Sequence, residues 1–200
     1  MKYTLMTWAM IAGFCLLPVR IAIAQQPDLQ ERFNQAVELA TGGDYNSAVR
    51  VCREVLDKLP DSERPRVHKL LGYSYMKLDM LPESWHHLTI YLESSGTEDT
   101  TAGGWLQEVE TALKQSHVKV SFSCHPADTS IRLPSSTPSR LQASRPCPTT
   151  WWLKPGKHTV TATAPGHKPR TVEVDVRERG DSGMREIRLA AVETTIPPDG

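Results

Sequence analysis

Near His117 the periodicity of this 200-residue chain changes, and the change divides what it can fold into. Before that point apolar residues recur at helical spacing. After it, Val118, Val120, Phe122 and Cys124 alternate with polar neighbours, as in a strand with one buried face. The expectation is an α+β chain with helical hairpins over 28–116, a small antiparallel β-sandwich over 117–190 and a disordered tail over 191–200. Formal charge follows the same division. Residues 28–116 carry fifteen acids against nine bases, net −6, while 117–189 carry twelve bases against six acids, net +6. Such asymmetry suits docking of the two parts on each other, or attraction of the second to an acidic surface.

The first residues bear on compartment. Lys2 precedes an apolar run from Leu5 to Val19, Arg20 closes it, and Ala22-Ile23-Ala24 places small residues where a signal peptidase reads. This predicts a signal peptide over 1–24, cleaved after Ala24, and a periplasmic or secreted protein that is not an integral membrane protein after cleavage. The apolar run falls short of the roughly 20 residues a spanning helix needs, a retained anchor being the alternative. Phe14 stands before Cys15 where a lipoprotein signal needs a small residue, so no lipid anchor is read. Export also argues against nucleic acid as a partner.

The helical part repeats itself. A shift of 36 residues pairs Ala36 with Gly72, Leu39 with Tyr75, Ala48 with Ser84, Cys52 with Leu88 and Val55 with Tyr91. Small meets small and large meets large, as expected when each unit packs two helices closely at its small positions. A further stripe, Trp105, Val109, Ala112 and Leu113, follows i, i+4, i+7, i+8 and predicts a capping helix over 103–115 with Trp105 in the core. The segment from His68 to Tyr75 resembles the tetratricopeptide signature, with Leu71, Gly72 and Tyr75 at that family's Leu, Gly and Tyr positions. Ala48, Cys52 and Pro60 fall on its later Ala, Phe and Pro positions. The resemblance covers residues 28–96 and implies a concave groove that holds a protein partner. Transferred by position, the groove is Phe33, Val37, Arg66, Lys69, Tyr73 and Met76, with Arg66 and Lys69 able to grip a carboxylate.

In the second part, strands are expected over 118–124, 129–133, 149–154, 158–164, 170–177 and 184–189. Pro155-Gly156 and Pro165-Gly166 serve as turns. Leu153, Pro155, Gly156, His158, Val160, Gly166, Val172, Val174 and Leu189 resemble the closing half of the PEGA family, small β-domains of bacterial surface and envelope proteins. A transthyretin-like or carboxypeptidase-regulatory-like sandwich is the competing fold name. Each of these is a non-catalytic module.

Cys124 at a strand end and Cys147 after a Pro/Ser-rich loop bracket a segment with little regular structure, and an exported chain meets oxidising conditions. The two are read as a disulfide. Cys52 is left unpaired at a core-facing repeat position, as a buried inert thiol. His86-His87 lack the spacing of metal ligands, and no nucleophile stands with a base and an orienting acid. No metal, no cofactor and no enzymatic activity are expected.

Trp151 and Trp152 fall on opposite faces of a strand. Trp152 either covers the sandwich against the helices or, with Lys154 and Lys157, contacts a sugar or another surface. The leading expectation is therefore an exported scaffold of the bacterial envelope, binding a protein partner through its helices and docking to envelope components through its β-domain. The alternative is a glycan- or peptidoglycan-binding module that uses the β-domain.

Overall fold

The computed structural model describes residues 26–95, 98–133, 144–177 and 183–192. Its helices are α1 (Gln26–Thr41), α2 (Tyr45–Leu56), α3 (Arg64–Lys77), α4 (Leu81–Ser94) and α5 (Thr100–Ser116). Its strands are β1 (Val118–His125), β2 (Ser130–Arg132), β3 (Arg145–Pro146), β4 (Thr149–Leu153), β5 (Gly156–Thr163), β6 (Arg170–Val176) and β7 (Met184–Arg188). The expected signal peptide and its cleavage site lie outside the described residues. So does most of the expected tail, but its start needs correction: Ala191 bridges His167, and Val192 donates its amide to the Gly166 carbonyl at 2.9 Å.

The 36-residue repeat is written in the backbone. α1 ends with the Asp44 amide on the Leu39 carbonyl and α3 with the Met80 amide on the Tyr75 carbonyl, both at 2.9 Å. Each is a six-residue closure that uses carbonyls left over at a helix end. The intervening residues, Gly43 and Asp79, both take the left-handed conformation, φ 85° and 57°. α5 then begins 36 residues after α3, so it stands as the first helix of a third unit. Side chains explain the close packing. Ala36, Ala48 and Ser84 are fully buried, and the Ser84 hydroxyl donates to the Gly72 carbonyl at 2.8 Å. Local signals set the boundaries: Asp44 caps α2 by accepting from the Ser47 amide at 3.1 Å, and Pro65 lies in the first turn of α3.

Two small sheets follow, in strand orders β4-β1-β7 and β3-β2-β5-β6. Between them lie Val120, Phe122, Ile131, Val160, Ala162, Val174, Val176 and Ile187, the alternating residues of both inner faces. One expectation changes here. The sandwich is not wholly antiparallel, because β7 runs parallel to β1, with Cys124 opposite Ile187. β6 belongs to one sheet and β7 to the other, so the chain changes sheets between them and does not return as a hairpin. Cys124 and Cys147 form a disulfide with Cα atoms 5.9 Å apart. It ties β1 to the two residues that join β3 to β4.

The halves meet through tryptophan. Trp85 of α4 packs edge-to-face on Trp152 of β4, ring centroids 6.1 Å apart, in a cluster with Leu88, Val109 and Leu113. Lys119 of β1 sets its ammonium 4.9 Å from the centre of the Trp85 ring and 5.8 Å from that of Trp152. The Trp85 indole N–H donates to Glu110 of α5 at 2.8 Å, which fixes the ring. Trp151, one residue earlier, lies against the sandwich core, so the two indoles do occupy opposite faces of β4.

Candidate functional site

α1 and α3 carry the six residues that the repeat assigns to a groove. Phe33 is buried, and Val37 one turn on is 40 % exposed. Among the described residues Val37 is the one large apolar side chain of the helical half that stays in solvent. The Arg66 guanidinium lies 4.6 Å from the centre of the Phe33 ring and donates to Gln30 at 2.7 Å and to Glu63. Charge and apolar surface therefore share the α1–α3 seam.

Lys69 plays a different part from the one its position suggests. Its ammonium contacts the Asp99 carboxylate at 2.6 Å, and the Tyr91 hydroxyl donates to the same oxygen at 2.8 Å. The other Asp99 oxygen caps α5 by accepting from the Ala102 amide at 3.0 Å. The Lys69 hydrogen bond, with those from Ala102 and Tyr91, holds the Asp99 carboxyl well below its usual range, and Lys69 is raised in turn. Lys69 is thus a tie between α3 and the start of α5. Arg66 is paired with Glu63 through Nη2, while its buried Nε has no hydrogen-bond partner among the described residues.

Aromatic contacts complete the surface. Tyr73 lies 4.8 Å from Trp105 of α5 and 6.0 Å from Tyr45 of α2, centroid to centroid, with the Lys77 ammonium 5.3 Å from the Tyr73 ring centre. Met76 packs inward on the cluster that holds Trp85. Of the six expected residues, Val37 and Tyr73 provide open contact area, Arg66 and Lys69 provide charge already in use, and Phe33 and Met76 support from below. Sequence reasoning missed Trp105 and Tyr45. Trp105, expected in the core, is half-buried and extends the aromatic row. Its signal was present in the spacing, since Phe33, Lys69 and Trp105 stand 36 residues apart.

The residues proposed for sugar contact do not assemble. Trp152 is only 6 % exposed, because its ring is covered by Trp85. This corrects the reading of Trp152 as an open stacking surface. Lys154 and Lys157 are exposed, and Lys157 pairs with Glu173 at 2.8 Å.

Histidine forms a cluster of its own. His68 Nδ1 and His87 Nδ1 lie 2.8 Å apart, which requires one ring to donate and the other to accept. The His86 ring lies 5.2 Å from that of His87, tilted by 55°, and Tyr75 lies parallel to His87 at 5.5 Å. Burial, with Arg64 close by, brings His68 down to about 4. Burial and Arg145 bring His86 down to about 3, and burial holds His87 well below its ordinary value. These rings pack as neutral groups. Among the described residues no group of three or more His, Cys, Asp or Glu side chains is placed to hold a metal ion. Cys52 is fully buried, which pushes its thiol up to about 12. A thiol so held has almost no thiolate at neutral pH. Among the described residues no helix is long and apolar enough to cross a membrane.

No family model matches this chain, and no curated protein matches it in sequence.

Proposed function

We propose that this chain is an exported, non-enzymatic scaffold of a bacterial envelope whose α1–α3–α5 face binds a protein partner. The helices act as tetratricopeptide-like units and the β half as a PEGA-like module. The observation that carries the reading is the partly exposed set Val37, Tyr73 and Trp105, an exposed apolar residue and two half-buried aromatics beside the Arg66 and Lys69 charges. Partially exposed aromatics flanked by cations are the residue types that anchor protein contacts. The β half docks through Trp152 onto Trp85 of α4, leaving this set to other partners. With Trp152 covered, the glycan-binding alternative loses its stacking ring, and no other observation favours it.

Because Lys69 and Arg66 hold the fold, charge reversal there confounds binding with stability. Val37→Glu is the cleaner test: the side chain is in solvent, so the melting temperature stays within a degree or two while partner capture from envelope extract falls at least tenfold. Capture that is undiminished by Val37→Glu and by Tyr73→Ser together removes this face from the account.

A further inference from the structure

Where α4 crosses the three-stranded sheet, the two halves enclose a cleft of about 530 Å³. This cleft is separate from the α1–α3–α5 face and has no part in the function proposed above. Its chemistry is uneven. Arg145 of β3 lines it at only 5 % exposure, with the guanidinium carbon 3.7 Å from the centre of the Trp151 ring and Nη1 donating to the Thr150 carbonyl at 3.3 Å. A guanidinium carries five N–H donors, and the Thr150 carbonyl takes one of them. Arg145 makes no ion pair with a carboxylate of the described residues. Glu83 of α4 acts on it only across space. Burial of a cation without a contacting anion is costly, and here it lowers Arg145 to about 10.

Around that charge the lining is mixed. From α4, the hydroxyl of Thr89 is shielded from solvent and finds no hydrogen-bond partner among the described residues. A shielded hydroxyl without a partner forfeits part of its hydration, as an unpaired buried polar group does. Ile90 of α4 and the exposed Met184 of β7 give the lining its apolar surface, the Trp85 ring being covered by Trp152, and His86, held neutral, adds no charge. At the α4 end stands the exposed Glu93, which repels any anion, a multiply charged one more strongly than a single carboxylate.

We propose that this cleft binds a small molecule with a single carboxylate on a flat apolar body. Arg145 takes the carboxylate, Thr89 donates to it, and Ile90 and Met184 pack on the body. Carboxylates are the anions a guanidinium fork fits best at single charge. Mixed clefts at domain junctions, apolar with a few converging polar groups, are where small ligands bind. Because the walls come from both halves, an occupant ties α4 to the sheet.

Benzoate, benzamide and inorganic phosphate titrated into the mature, oxidised protein, followed by tryptophan fluorescence and ligand-observed NMR, test this. Benzoate is expected to bind saturably and to raise the melting temperature, with benzamide and phosphate at least tenfold weaker. Arg145→Met, which keeps the volume apolar, and Ile90→Trp, which fills the cleft and keeps the guanidinium, should each weaken benzoate at least tenfold. Benzamide or phosphate binding as well as benzoate overturns the proposal, as does the absence of saturable benzoate binding. So does unchanged benzoate affinity in a folded Arg145→Met. Should that variant fail to fold, unchanged affinity in Ile90→Trp overturns it alone.

Discussion

At Gly72 α3 and α4 leave no room for a side chain, since a Cβ there would lie 2.6 Å from Leu88 Cγ and 3.2 Å from the Leu88 amide nitrogen. Alanine would gain about 1 kcal/mol of helix propensity, while overpacking a tight core site costs about 1–3 kcal/mol, so the clash wins. Gly72→Ala should lower the melting temperature, and the same substitution in a Leu88→Ala background should be neutral or stabilising. Chemical denaturation of the four proteins checks the coupling, and additive losses would show that Leu88 is not what excludes the side chain. Asp79 offers a second test. At φ 57° it occupies the place that Gly43 fills one unit earlier. Asp79→Gly should be neutral or slightly stabilising, and Asp79→Val should cost about 1–2 kcal/mol. Gly72 was legible in the sequence as a small residue recurring at 36-residue spacing. Asp79 was not, because aspartate in a turn reads as ordinary until its counterpart Gly43 is seen in the same conformation.

Between elements, the ties are polar and respond to pH. His68, His86 and His87 lie between α3 and α4, with Tyr75 and Arg64 facing them from α3 and Arg145 from the β half. Their folded values lie below the ordinary 6.5, so the unfolded chain takes up more protons as pH falls. Their contribution to stability is fully present above pH 6.5 and is lost between there and about 4 for His68, or about 3 for His86. Urea midpoints should hold steady above pH 7 and decline from pH 6.5 to 4.5, with a shallower decline in His68→Gln. A flat profile over that interval would place these rings in water. Asp99 acts from the bottom of this window downwards. Its lowered carboxyl stabilises the α3–α5 tie above 3.8, and that contribution is lost only as pH falls towards its folded value. The helices themselves were readable from periodicity, but the roles of Lys69 and Trp105 were not. A position on a repeat says which face a residue occupies; it does not say that an acid 30 residues on will claim its charge.

For the molecule as a whole, two structures of modest core are joined by a tryptophan contact, and the β half is closed by the Cys124–Cys147 bridge across 23 residues. In a chain-entropy account a loop of this length contributes about 3 kcal/mol, a large share of the roughly 5–15 kcal/mol that holds a domain folded. Cys147→Ser should therefore lose about that much by denaturation of the oxidised protein, and Cys52→Ser should not mimic it. The disulfide was legible because two cysteines bracket a proline-rich gap, and the strands other than β3 were legible because one face of each is buried; the two residues of β3 are too few to show alternation. The parallel pairing of β1 with β7 was not, since strand alternation carries no record of which distant strand lies alongside. Export makes its own claim: protein recovered from the periplasm or medium should begin at Gln25, and a full-length cytoplasmic product would contradict it. The central claim is partner binding on the α1–α3–α5 face, and the most direct measurement is site-specific photo-crosslinking in envelope-derived samples. A photoreactive residue at Val37 should trap one discrete protein adduct, while the same residue at Arg50, exposed on α2, should trap none. Equal adducts at both positions, or an adduct at Arg50 alone, would contradict the account.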